Sequence, residues 1–157
     1  MSASLRWVRT RTPWWSLVAR LTLGALFAAA ALGKVGDPQE TVRAVRAYQL
    51  LPESAVHPLA YALPYAEIAL ALLLVVGLMV RLTALLTAAI LLVFMAAVAS
   101  AAVRGLRIDC GCFGGGGVTA DPQYAQELLR DGAALAVALA LAACRRSALS
   151  VDNALEL

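Results

Sequence analysis

Charge is scarce in this chain. Of its 157 residues only 15% are Asp, Glu, Lys or Arg, against about 25% in an ordinary soluble domain. Histidine is scarcer still: His57 stands alone, beside three cysteines. Cys110 and Cys112 do not complete a tetrahedral zinc site by themselves, and His57 belongs to a different loop, between Val56 and Pro58. Net charge is only +3 and the arginines are scattered. No basic stripe tracks a phosphate backbone, which excludes nucleic acid as a partner class. Internal repeats and long disordered tails are also missing.

What is present is apolar sequence, 62% of the chain. A lipid bilayer is therefore the expected surroundings. At roughly 20 residues per crossing the length allows one domain of about four spans. The expected fold is all-α: a bundle of four transmembrane helices over residues 14–33, 59–80, 82–103 and 122–144. Arg6, Arg9 and Arg11 precede the first apolar run in the manner of a signal peptide. That run is longer than the roughly 7–15 residues of a signal-peptide core, which favours a retained span. Arg20 falls inside it, close enough to the arginine-rich end to snorkel outward.

Between spans one and two, Asp37-Pro38-Gln39-Glu40 reads as a helix start, with Asp37 as N-cap and Pro38 in the first helical position. The helix should run to about Leu50, where Leu51-Pro52 stops it. Val42, Val45 and Tyr48 share one face and Arg43 and Arg46 another. This predicts a short amphipathic helix on the membrane surface or over the bundle. Arg81 interrupts the next apolar run and marks a tight hairpin between spans two and three. Asp121-Pro122 repeats the start signal before span four.

Four crossings put residues 1–13 and the tail 145–157 on one side. The positive-inside bias is slight and favours the cytoplasm for that side. The amphipathic helix and the cysteine loop then lie outside the cytoplasm, where disulfides persist.

The chemistry concentrates in Cys110-Gly111-Cys112-Phe113-Gly114. Two thiols one residue apart can trade electrons by disulfide exchange. A bridge between them closes a very small ring, and strained bridges are the labile ones. Arg104 and Arg107 stand near enough in sequence to favour a thiolate, while Asp109 opposes it. A static disulfide, half of a metal site, or two inert thiols remain open readings. Cys144, at the far end of span four, is expected to be buried and inert. Glu67 and Arg130 both fall within spans, where an insertion cost of about 2.5–3.5 kcal/mol per charge demands a partner. Counted from their helix starts the two share a depth, which suggests a buried pair. Glu127 and Asp131 compete for Arg130. A polar pocket there could relay protons or hold a quinone headgroup.

Several of these residues come in a familiar order: Gly33-Lys34, Asp37-Pro38, Tyr48-Gln49-Leu50-Leu51-Pro52, Leu63-Pro64 with Glu67, Arg104-Gly105, Cys110-Gly111-Cys112-Phe113-Gly114 and Leu129-Arg130-Asp131. In this the chain resembles the MauE family of DoxX-like membrane proteins. The resemblance implies a four-helix membrane bundle working beside extracytoplasmic thiol chemistry. It further implies support for maturation of the disulfide-rich small subunit of methylamine dehydrogenase, alongside a thioredoxin-like partner. Fold does not transfer substrate. The expectation is a thiol–disulfide redox membrane protein with Cys110 and Cys112 as reacting groups, Arg104, Arg107, Glu67 and Arg130 as supporting groups, and quinone as an optional electron partner. The alternatives are a non-enzymatic scaffold or assembly factor with a structural Cys-Gly-Cys bridge, and a small-molecule or metal carrier.

Overall fold

A computed structural model describes residues 3–111 and 116–144, with side chains from residue 14 onward. In chain order the elements are α1 (Ala3–Gly36), α2 (Pro38–Ala47), α3 (Glu53–Val76), α4 (Val80–Val103), β1 (Ile108–Asp109), β2 (Gly117–Val118) and α5 (Tyr124–Ala143). The fold is a helical bundle, as expected, carrying one small antiparallel ribbon that the sequence pattern did not announce.

Among the described residues three stretches are long and apolar enough to cross a membrane: Trp14–Gly36, Glu53–Val76 and Val80–Val103, of 23, 24 and 24 residues. At 1.5 Å per residue each reaches about 35 Å, more than the roughly 30 Å hydrocarbon core. Their outward faces remain apolar. Val18, Leu21 and Leu32 on α1, Leu72 and Val76 on α3, and Leu85, Leu92 and Val93 on α4 are all exposed. A belt of this extent is costly in water and at home in lipid. The protein is therefore a multi-pass membrane protein. The fourth helix differs from the other three. Glu127, Arg130 and Asp131 occupy the first two turns of α5, so its apolar stretch is confined to residues 132–143, about 18 Å long.

Small residues bring the helices together. Ala134, Ala138 and Ala142 of α5 belong to one core with Ala84, Ala88 and Leu91 of α4 and Ala19, Leu23 and Phe27 of α1. With no hydrophobic drive between helices in lipid, such close backbone approach supplies the packing.

At the end of the bundle away from the cysteine loop, Arg20 does not snorkel. It is 0% exposed. Its Nε donates to the Leu74 carbonyl at 2.8 Å and its Nη2 to the Val75 carbonyl at 3.0 Å. The last carbonyls of a helix lack intrahelical partners, and lipid offers none. A guanidinium supplies both the donors and the charge that suits a helix C-terminus. Gly77 follows in the left-handed region at φ +74, and a Cβ there would lie 2.4 Å from the Arg20 guanidinium. The hairpin therefore turns at Gly77 to Met79, and Arg81 lies exposed in the first turn of α4.

Asp37 caps α2 as expected, its carboxylate accepting from the Glu40 amide at 3.0 Å. The helix ends at Ala47 rather than Leu50. Helix α3 starts at Glu53, well before residue 59, so His57 and Pro58 lie within it rather than in a loop. Pro52 takes the capping position and Glu53 brings negative charge to the first turn, which together start the helix. Arg46 Nε donates to both Glu53 oxygens at 3.1 Å. Val42 packs with Val56 and Ala60, so α2 lies across the first turns of α3 and closes that end of the bundle.

Candidate functional site

The cysteine motif is mounted on the ribbon. Ile108 pairs with Val118 and Asp109 with Gly117, and the segment between the strands carries Cys110. Cys112 and residues 113–115 lie outside the described residues. Three tyrosine and arginine contacts fix the ribbon. The Tyr124 hydroxyl, from the first turn of α5, donates to the Leu106 carbonyl and accepts from the Ile108 amide at 3.1 Å. The Tyr48 hydroxyl, at the end of α2, donates to the Cys110 carbonyl at 3.4 Å. Arg104 donates to the Ser100 carbonyl at 3.2 Å and to the Tyr48 carbonyl. Gly116 meets α2 so closely that a Cβ would lie 2.5 Å from that of Ala44. Its φ of +125 is open to glycine alone in practice.

Cys110 faces α5. Its main-chain amide and its thiol both hydrogen-bond to the Glu127 carboxyl. Ligand atoms of Asp109, Cys110 and Glu127 all lie within 4.8 Å of one another. Among the described residues they amount to three donors, where a structural zinc site uses four. Asp109 is also engaged locally, its Oδ1 accepting from the Gly111 amide at 3.0 Å. Glu127 is 9% exposed, and its Oε2 is buried without a hydrogen-bond partner among the described residues. It stands in the first turn of α5, outside the three spans. Burial pushes its carboxyl above the usual carboxylate range. The two Cys110 hydrogen bonds work against this, the Asp109 charge adds to it and Arg130 opposes it.

One turn further along α5, Arg130 and Asp131 pair at 3.0 Å and line a small cavity of about 30 Å³ with Glu67, Leu26, Phe27, Ala30, Leu91 and Phe94. Glu67 and Arg130 thus meet the same cavity, but they are not each other's partners. Glu67, 1% exposed, binds Lys34 at 2.6 Å. Glu67 and Arg130 share a depth only if α3 begins at residue 59. The helix starts earlier and overhangs α1, which brings Glu67 level with the last turn of α1, where Lys34 stands. Lys34 also lies 5.9 Å from the centre of the Phe94 ring.

Of the residues singled out from sequence, Cys110, Glu67 and Arg130 converge on this end of the bundle. Arg104 acts on the loop through Tyr48, and Arg107 is exposed, its carbonyl bonded to the Thr119 amide at 3.0 Å. Cys144 caps the far end of α5 and is half-buried rather than buried. Sequence reasoning missed Lys34, Tyr124 and the role of Glu127. Lys34 had a signal, a cation in the last turn of a span; Glu127 and Tyr124 had none linking them to the loop.

Apolar spans, a capping amphipathic helix and a thiol on a braced ribbon define a multi-pass helical membrane protein with a cysteine site at one end of its bundle. Residues 12–144 match the family model described as methylamine utilisation protein MauE, and the chain belongs to that family. Relatives include the methylamine utilization protein MauE of Paracoccus denitrificans, 44% identical over 103 residues, covering 65% of this chain and 54% of that protein. The namesake from Methylophilus methylotrophus is 37% identical over 98 residues, covering 62% of this chain and 52% of its own length. The chain thus spans about half the length of the curated relatives it matches. No solved structure matches it.

Proposed function

We propose that this protein is a membrane thiol–disulfide redox protein whose Cys110 and Cys112 exchange with a thioredoxin-like protein or a disulfide-rich substrate outside the cytoplasm. The observation that carries the reading is the seating of Cys110. Its ribbon is anchored from α2 and α5, while its thiol meets a buried carboxyl instead of a hydrophobic core. Anchoring of this kind holds a reacting sulfur in place, which an inert thiol does not need. The names of the relatives extend the reading to methylamine utilisation, and the family resemblance to maturation of methylamine dehydrogenase. In that orientation both termini are cytoplasmic and α5 completes the bundle as its fourth helix.

Oxidation of the two thiols to a disulfide releases two electrons and two protons, which a quinone takes up on becoming a quinol. The small pocket lined by Glu67, Phe94 and Arg130 is where a headgroup would approach, and it has to widen to admit one. Single Cys110→Ser and Cys112→Ser variants of the full chain should trap a mixed disulfide with the partner. They should also lose thiol-oxidation activity in membranes. Full activity in both would end the redox reading. An impermeant maleimide that labels Cys110 only after the membrane is opened would end the assignment of sides.

A further inference from the structure

We propose that Glu127 is the proton acceptor and donor for Cys110 in thiol–disulfide exchange. The inference rests on the redox reading above and adds a residue that sequence reasoning placed only as a neighbour of Arg130.

The geometry makes the case. Glu127 lies one helical turn from the buried Asp131, with a carboxyl oxygen within 4.8 Å of the Cys110 sulfur. The thiol and the Cys110 amide both point at that carboxyl, while Oε2 is buried and holds no hydrogen bond among the described residues. A buried carboxyl oxygen without a donor is costly as a carboxylate and is relieved by taking a proton. The thiolate, not the thiol, is the attacking species. The proton that leaves sulfur thus has an acceptor at contact distance. Among the described residues, the charged and titratable groups around the pair include Asp109 on the ribbon, Tyr48 at the end of α2, and Tyr124, Arg130 and Asp131 on α5. Arg104 and Arg107 are exposed on the segment that leads from α4.

The step balances without a further reactant. The Cys110 S–H bond breaks and its proton passes to Glu127. The sulfur attacks a disulfide of the partner protein, one S–S bond forms and one breaks, and the departing thiolate recovers the proton from Glu127. The reverse direction uses Glu127 as the acid for Cys110 as leaving group.

The test uses the full chain in detergent with Cys112→Ser and Cys144→Ser, so that Cys110 is the sole thiol. Its rate of reaction with iodoacetamide is followed from acid to alkaline pH. A sulfur and a carboxyl that share a proton titrate as a pair. The rate should therefore rise in two steps with a plateau between. Glu127→Gln should collapse the profile to one step, and Glu127→Asp should keep two. In the otherwise unmodified chain, Glu127→Gln should slow exchange with a disulfide substrate at neutral pH by on the order of 10²-fold. A single-step profile in the parent protein overturns the proposal without any Glu127 variant. So does a Glu127→Gln variant with unchanged profile and exchange rate. The two readings fail separately. If Cys110→Ser leaves exchange intact, the redox reading is lost. If Cys110→Ser abolishes exchange while Glu127→Gln changes nothing, only the role of Glu127 is lost.

Discussion

Lys34 and Glu67 form an ion pair 2.6 Å long at 5% and 1% exposure, tying the last turn of α1 to the middle of α3. Glu67 also lines the small cavity that Arg130 and Asp131 share. The pair joins the stability of the bundle to the shape of the proposed site.

Breaking this pair from either side leaves a buried charge uncompensated. Glu67→Gln and Lys34→Met should each cost about 3 kcal/mol. The double variant should recover much of that loss, because neither charge is then stranded. Thermal unfolding in detergent measures the four proteins of the cycle. Strictly additive losses would show that the two residues are not coupled.

At the opposite end, Arg20→Met strips the Leu74 and Val75 carbonyls of their donors. A loss of about 1–3 kcal/mol is expected. Gly77→Ala should also destabilise, through its positive φ and through collision with the guanidinium. Combined with Arg20→Met, the alanine should cost less than it does alone, since the collision is removed. Unfolding midpoints decide this.

Tyr124→Phe removes one hydroxyl that serves both the Leu106 carbonyl and the Ile108 amide. Ile108 is buried, so its amide would be left without a partner at a cost of about 1–3 kcal/mol, confined to the ribbon. Amide hydrogen exchange should speed up across residues 106–118 while the helices keep their protection. Uniform protection throughout would mean that the ribbon does not depend on this hydroxyl.

The Glu127 carboxyl is raised in the folded protein by burial. Between its unfolded and folded pKa values the native state binds the extra proton. Stability is then highest in acid and falls as pH rises from the usual carboxylate range to the folded value, beyond which the loss is constant. Glu127→Gln should remove this part of the pH dependence and leave the protein relatively more stable at neutral pH. Unfolding midpoints of the two proteins across that range should converge in acid and separate above it.

Much of this architecture is legible in local sequence. The Asp37-Pro38 cap, the amphipathic split between Val42 and Arg43, and the apolar runs of α1, α3 and α4 depend on neighbours within a turn or two. Boundaries slipped where Pro52, read as the stop of α2, also starts α3, and where a turn follows Gly77 instead of the more conspicuous Arg81. The partners of charged residues were harder to read. Arg20 looked near enough to the lipid boundary to reach outward, because sequence does not show that the open carbonyls of α3 end beside it. Glu67 looked level with Arg130 because depth was counted from a helix start placed too late.

By itself the sequence determined that this is a membrane-embedded helical protein with two thiols concentrated at one loop, since hydropathy, capping and residue spacing are local properties. Only the tertiary structure decided which charges neutralise each other and that a carboxyl from α5 meets Cys110. Those relationships depend on how far one helix overhangs another, and that offset is set by side-chain packing between segments distant in the chain.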